Sequence, residues 1–330
     1  MSKAASWLLS FGILLFVAVL VSHDFSAIIT TLAHAGLGLL IVALFHLLPL
    51  VIDALAIRIL FEHGSSPHPL RDSVLARWVG ESANSLMPAG QIGGPLLMAR
   101  FLGQRGLPKD EAAAAITVST TLQTFGQIAF ALLGIVVLGT QGNRFSPATL
   151  RTAALIASAF LAVQVGGFYW VQRRGLFSKV MWAVRRFFRK RDWSQWVTQA
   201  EAIDAAVQRT YRRNAPLTVS FLLSLAGWIV GTGEVYLIAR FLETPVSWHV
   251  AFVLESLGQA IRGAGFAIPG ALGVQEGGYL LLAPLAGLTP DAAVALSLAK
   301  RIRELLLGLP GLLYLRFSSG HGAAAGMARP

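Results

Sequence analysis

Cysteine is absent from all 330 positions, which excludes disulfides, thiolate nucleophiles and cysteine-ligated metals together. The seven histidines, His23, His34, His46, His63, His68, His249 and His321, are scattered without H-E-x-x-H or a similar ligand spacing. No metal site is expected from them, and each reads as a solvated or hydrogen-bonded ring near a membrane edge. No G-x-S-x-G, P-loop or dinucleotide fingerprint occurs, which speaks against ATP-driven transport by this chain alone. With no activated nucleophile there is no catalytic set, no cofactor is expected, and the chain is read as something other than an enzyme. Charge is scarce as well, at 13% of residues.

What is present is apolar. Hydrophobic residues make up 55% of the chain and the mean hydropathy is +0.64, the composition of an integral membrane protein. Long Leu, Ala, Val and Gly runs take the place of alternating strands of about ten residues, so the spans are helical and not a β-barrel. The net charge of +11 gathers in a few loops, as topology and anionic headgroups require, and no nucleic-acid partner is expected. Lys3 with the apolar run to Val21 resembles a signal peptide, but no small-residue cleavage site follows, so a retained first helix is expected.

Six stretches, 5–22, 34–61, 112–139, 148–171, 216–242 and 291–316, approach or exceed the roughly 20 apolar-rich residues needed to cross. Two more, 71–101 and 250–285, are split by Pro/Gly segments and their halves look short for spans. The fold class expected is therefore an all-α polytopic membrane protein with about six full spans and two broken re-entrant hairpins, or alternatively eight spans. The chain forms a single membrane domain, with 172–214 as a basic amphipathic cytoplasmic linker and 317–330 as a small-residue tail expected to be disordered. Arg173, Arg174, Lys179, Arg185, Arg186, Arg189, Lys190 and Arg191 make that linker the densest basic run, which places it and both termini on the cytoplasmic side. Its interleaved Trp182, Phe187, Phe188, Trp193 and Trp196 suit the membrane interface, either as a topology anchor or as a contact for anionic headgroups.

The second broken stretch, 253–277, is too apolar for a solvent loop and too rich in Pro and Gly for one helix. Irregular backbone at membrane depth survives only when buried in protein or lining a wet cavity, so this stretch reads as the floor or gate of a cavity. Sliding the chain on itself by 181 residues brings Met87-Pro88 onto Ile268-Pro269, Gly106-Leu107 onto Gly287-Leu288, Asp110 onto Asp291 and Asp53 onto Glu234. This predicts an internal repeat. Residues 1–171 hold the first repeat and the start of the second, and 215–316 hold the core of the second. Loop charge sends the matching spans in opposite directions, so the repeats are inverted. Such pairs with broken helices bind cargo near the midplane.

From Gly80 to Leu102 the chain reads GESANSLMPAGQIGGPLLMARFL, and 254–313 carries LESLGQAIRGAGFAIPGALGVQEGG and LAKRIRELLLGLPGLL. These blocks resemble the transmembrane region of lysylphosphatidylglycerol synthases, a flippase-like membrane family, and within it the HpnL-type proteins associated with hopanoid biosynthesis. The resemblance covers about 39–313. It implies a bacterial inner-membrane protein that handles lipid, hopanoid or an anionic or modified phospholipid, beside envelope-lipid biosynthesis proteins. It does not imply lysyl transfer, because the soluble synthase domain has no counterpart here. Membrane-embedded headgroup transferase and scaffold are the other function classes.

The candidate substrate-binding residues follow from the breaks and from charge at membrane depth. Glu255, Gln259 and Arg262 stand at i, i+4 and i+7 on the helix entering the second break, and Arg77, Glu81 and Asn84 repeat that face before the first. Pro88, Gly90, Gln91, Gly93 and Gly94 form the first break; Pro269, Gly270, Gly273, Gln275 and Glu276 form the second. Their glycines permit close approach, and a helix N-terminus after either break would point amides at an anion such as phosphate. Lys300, Arg301, Arg303 and Glu304 fall roughly 15 to 20 Å into the last span, where each charge costs at least about 2.5 to 3.5 kcal/mol unless paired or facing a polar interior. Lys300 and Glu304 could neutralise each other at i, i+4. Arg301 and Arg303 then need partners among Glu255, Glu276 and Glu234, or a lipid phosphate. Gln123 occupies the matching part of the third span. Asp53 and Glu234 are coupling-ion candidates or ordinary interface acids.

Overall fold

A computed structural model describes residues 25–62, 69–87, 93–140, 148–187, 194–265 and 268–326, together with Leu14, Val17 and Ala18. Pro88, Gly90 and Gln91, and most of the expected first span 5–22, lie outside the described residues. The regular elements among the described residues are helical. They are α1 (Phe25–Ala35), α2 (Gly38–Arg58), α3 (Leu70–Leu86), α4 (Gly93–Gln104), α5 (Lys109–Thr140), α6 (Ala148–Arg173), α7 (Leu176–Phe187), α8 (Ser194–Tyr211), α9 (Asn214–Phe241), α10 (Trp248–Ala264), α11 (Val274–Ala286) and α12 (Pro290–Gly326).

Among the described residues three helices are long and apolar enough to cross a membrane: Gly38–Arg58, Lys109–Gly139 and Asn214–Phe241. They correspond to the expected spans 34–61, 112–139 and 216–242. The chain is an integral membrane protein. The expected last span ends at 316, whereas α12 runs on to Gly326, into the tail expected to be disordered. Ala323 to Ala325 supply the helix propensity there, and side chains beyond Ser318 lie outside the described residues.

Helices α2 and α9 form the centre, packed antiparallel through glycine. A Cβ at Gly38 would meet the Phe241 ring, one at Gly233 the Phe45 ring, and one at Gly227 would come within 2.8 Å of Asp53. Small residues let the two backbones approach where lipid gives no hydrophobic incentive.

Each broken stretch folds as an antiparallel helical hairpin. In the first, Gly80 of α3 lies against Met98 of α4, and the Gly94 amide donates to Asn84 at 2.9 Å. In the second, Gly278 of α11 lies against Ile261 of α10. At about 1.5 Å per residue, the 17 residues of α3 or α10 and the 12 or 13 of α4 or α11 fall short of a core about 30 Å thick. The sharp reversal of the second uses left-handed backbone at Gly270 (φ 61°), Ala271 (φ 48°) and Gly273 (φ 75°), which glycine tolerates and alanine accepts only under restraint.

Element boundaries keep the 181-residue register: Gly93 and Val274 open α4 and α11, and Lys109 and Pro290 open α5 and α12. Packing follows it too. Helix α3 packs on α12 as α10 packs on α5, and α5 packs on α9 as α12 packs on α2. The basic linker becomes α7 and α8. Asp204 of α8 accepts the backbone amides of Phe177 and Ser178 at 3.0 and 2.8 Å, capping α7. Trp182 and Val180 of α7 are exposed, with Arg186 over the Trp182 ring.

Candidate functional site: a polar cavity and its ion pairs

Helical periodicity gathers polar groups from separate elements onto one space. On α2, His46, Pro49, Leu50 and Asp53 share a face; on α3 it is Arg77, Glu81, Asn84 and Ser85, and on α10 it is Glu255, Gln259 and Arg262. Thr120, Gln123 and Gln127 of α5, Glu234 of α9, and Arg303 and Glu304 of α12 complete the polar lining of a cavity of about 590 Å³. Val165 and Phe168 of α6 and Gly227, Trp228 and Gly231 of α9 give it an apolar side. A Cβ added at Gly231 would meet no neighbouring atom within 4 Å, so this side has unfilled room.

The charges form two clusters. In the first, Glu81 and Glu234 clamp His46, with Nε2 2.7 Å from Glu81 Oε1 and Nδ1 2.8 Å from Glu234 Oε2. Arg303 spans the same two acids, donating to Glu234 at 3.0 Å and to Glu81 at 3.3 Å. Lys300, 1% exposed, lies 2.6 Å from Glu255 and 3.9 Å from Glu234. Gln259 and Tyr279 also donate to Glu255, at 2.8 and 3.1 Å. Arg77 sits 2.7 Å from Asp53, which also accepts from Gln123 at 2.6 Å, and 3.9 Å from Glu81.

The second cluster holds the break. Arg301 donates to Glu276 at 3.0 Å, to Glu304 at 3.1 Å, and to the carbonyls of Gly270 and Ala271 at 2.6 and 3.1 Å. Arg262 donates to Glu304 at 2.6 Å and Gln275 at 2.9 Å. Glu276 accepts from the Gly273 amide at 2.7 Å, and Gln275 donates to Ser297.

The expected site residues therefore divide. Asp53, Arg77, Glu81, Asn84, Gln123, Glu234, Glu255, Gln259, Arg262, Gly270, Arg303 and Glu304 border the cavity; Gly93, Gly94, Gly273, Gln275, Glu276, Lys300 and Arg301 do not, and Pro269 opens the turn between α10 and α11. Two expectations need correction. The Lys300 and Glu304 pair does not form, because Lys300 turns to Glu255 on α10 while Glu304 takes Arg262 and Arg301. The helix amides after the breaks are not all open to a foreign anion, since Gly273 donates to the chain's own Glu276 and Gly94 to Asn84. His46, expected to be one of the solvated or hydrogen-bonded rings near a membrane edge, is hydrogen-bonded to two acids at mid-helix in α2, a position that already demands partners.

A family model described as the lysylphosphatidylglycerol synthase TM region matches residues 4–311. The chain belongs to that family. Membership makes the cavity part of a lipid-related membrane protein. One curated relative, a "UPF0104 membrane protein" of Methanothermobacter thermautotrophicus, is 27% identical over 238 residues, 68% of each chain. No solved structure matches the chain significantly. The matched residues 4–311 include every member of both ion clusters. Among the described residues no His/Cys/Asp/Glu group is placed to hold a metal ion.

Proposed function

We propose that the protein is a lipid translocase, or lipid-binding transport protein, whose cavity shelters a headgroup while the acyl or ring portion stays in the bilayer. The observation that carries this reading is a space of about 590 Å³ among membrane-embedded helices, lined by ionic groups. A chain that needed only stability would fill such a space with apolar side chains, since buried charge is expensive even when paired. Arg77 is the group best suited to a headgroup. It borders the cavity, it is paired with Asp53, and its buried Nε has no hydrogen-bond partner. An anionic headgroup oxygen in the cavity would meet the positive charge of this guanidinium.

In this reading the matched helices are inverted repeats, the two hairpins are re-entrant from opposite faces, and both termini with the basic linker lie on the cytoplasmic side of a bacterial inner membrane. The linker would rest on anionic headgroups. No group in the ion clusters is left as an activated nucleophile, which supports transport over transferase chemistry. The ionic lining suits an anionic or modified phospholipid, and a hopanoid would fit through a polar head rather than its ring system.

The test is translocation of fluorescent phospholipids in proteoliposomes, read by dithionite quenching, with a hopanoid in parallel. Arg77→Gln combined with Asp53→Asn removes the cation without stranding its acid. That variant should fold and move anionic phospholipid about tenfold or more slowly, the worth of one charge-assisted contact. Movement no faster than in protein-free vesicles for every headgroup would sink the proposal.

A further inference from the structure

The two ion clusters differ in how their charge is balanced. Around the break, Arg262 and Arg301 oppose Glu276 and Glu304, so permanent cations match carboxylates one for one. Around the cavity, Asp53, Glu81, Glu234 and Glu255 are opposed by only three permanent cations, Arg77, Lys300 and Arg303. The missing positive charge has a location. His46 presents both ring nitrogens to carboxylate oxygens, 2.7 Å to Glu81 and 2.8 Å to Glu234. A neutral imidazole has one N–H and one lone pair, so one of those contacts would set lone pair against lone pair. The geometry needs one proton more than neutral histidine and two carboxylates supply, and that proton restores neutrality to the cluster.

We infer that His46, Glu81 and Glu234 form a proton-binding site whose proton is exchanged as lipid moves, making the protein a proton-coupled carrier. The inference rests on the translocase reading and adds the coupling ion to it. Exchange has a route, because His46 and Glu81 both border the cavity and the Glu81 side chain is 23% exposed. The proton would pass from the imidazolium to cavity water, directly or by way of Glu81, leaving neutral His46 and a cluster one positive charge short. Every charged group facing His46 would feel the change: Glu81 on α3, Glu234 on α9, and Arg303 on α12 with Nη1 3.4 Å from Nε2. Lys300 and Arg77 stand one step behind, each 3.9 Å from one of the clamping acids. These groups come from α2, α3, α9 and α12, which include one helix of the first hairpin and the last helix of the chain. Loss of the proton would therefore unbalance contacts between elements that must shift if the cavity is to change sides.

Two measurements on the full chain decide it. In proteoliposomes that move fluorescent phospholipid, a pH difference of one unit should change the initial rate, up to about tenfold because one unit corresponds to about 1.4 kcal/mol per proton. His46→Lys keeps a cation between the acids but fixes its charge. It should keep its melting temperature and lose the gradient response. Separately, 15N-histidine NMR in nanodiscs, titrated from about pH 5 to 10 with His46→Gln to assign the resonance, should show both His46 nitrogens protonated at neutral pH and one of them deprotonated as the pH is raised. Lipid movement indifferent to the gradient would overturn the coupling while leaving the translocase reading intact. A His46 that stays imidazolium or neutral over the whole range would overturn the exchange site whatever the vesicles do, the first outcome reducing it to a fixed ion pair. If no lipid moves in any vesicle, the translocase reading falls and the coupling with it, and the NMR titration alone still decides whether the site exchanges a proton.

Discussion

Replacing Arg301 by Gln distinguishes a headgroup ligand from a structural pin. Arg301 is 12% exposed and does not border the cavity, with its guanidinium divided between two acids and two carbonyls. Glutamine keeps some of the length and loses the charge. The change leaves Glu276, which is 0% exposed, without its cation, at a cost of about 3 to 5 kcal/mol for a buried pair broken on one side. It also frees the Gly270 and Ala271 carbonyls, where left-handed backbone depends on restraint, at roughly 1 to 3 kcal/mol for an unmet buried acceptor. These terms overlap, so about 4 kcal/mol is a reasonable total, enough to lower the melting temperature by about 10 °C. Thermal unfolding of purified protein in detergent is the assay. The double variant Arg301→Gln/Glu276→Gln removes the stranded charge and should recover more than half of the loss. An unchanged melting temperature in the single variant, with lipid movement abolished, would refute the pin and return Arg301 to the headgroup.

Gly231 faces open space on the apolar side of the cavity, so Gly231→Leu should keep or slightly raise the melting temperature, gaining up to about 1 kcal/mol of helix propensity, while slowing lipid movement several-fold. The absence of cysteine gives a clean background for topology. Single cysteines at Ser178 and Ser318 should resist an impermeant maleimide from outside, one at Gly287 should react, and external labelling of Ser178 would reverse the assignment. Lys300→Met with Glu255→Gln removes a buried pair together, leaving the remaining cavity cluster in the same proton-dependent balance. The variant should melt within about 2 °C of the parent, since such pairs are often replaceable by apolar groups, and a drop of 10 °C or more would show the pair to be structural.

Much of the architecture was legible because membrane-embedded chains have few options. Pro269 with its neighbouring glycines marked the second break, and the apolar run expected from 291 begins where α12 does, at Pro290. The faces of α3 and α10 followed from i, i+4, i+7 spacing, and all six of their named residues border the cavity. Pairing was not legible. Lys300 and Glu304 are correctly spaced for each other, yet a short buried contact to Glu255 on another helix wins. The near neighbour in sequence is only one of several acids within reach of a long side chain. His46 has no ligand spacing and so reads as one more solvated or hydrogen-bonded ring, although His46, Pro49 and Asp53 at i, i+3 and i+7 already place a titratable ring and an acid on one face of an apolar helix. The rule applied to the last span, that an ionisable group at membrane depth demands a partner, would have found it.

The two clusters suggest why this chain carries so many charges where each is costly. Arg301 and Glu276 spend theirs on a backbone reversal that hydrophobic side chains cannot hold, because carbonyls left unmet in an apolar interior need donors. That cluster is closed and neutral without a proton. The cavity cluster reaches the same neutrality only through a group that can give its charge up. Both clusters draw on α12, whose Arg301 turns to the break while Arg303, two residues on, turns to His46 and Glu234. A displacement of α12 that relieved the cavity cluster after proton loss would therefore pull on the carbonyls of the hairpin tip. The link between proton and gate is one helix deep, and it lies in the segment the sequence marked by placing Lys300, Arg301, Arg303 and Glu304 in the same turn and a half.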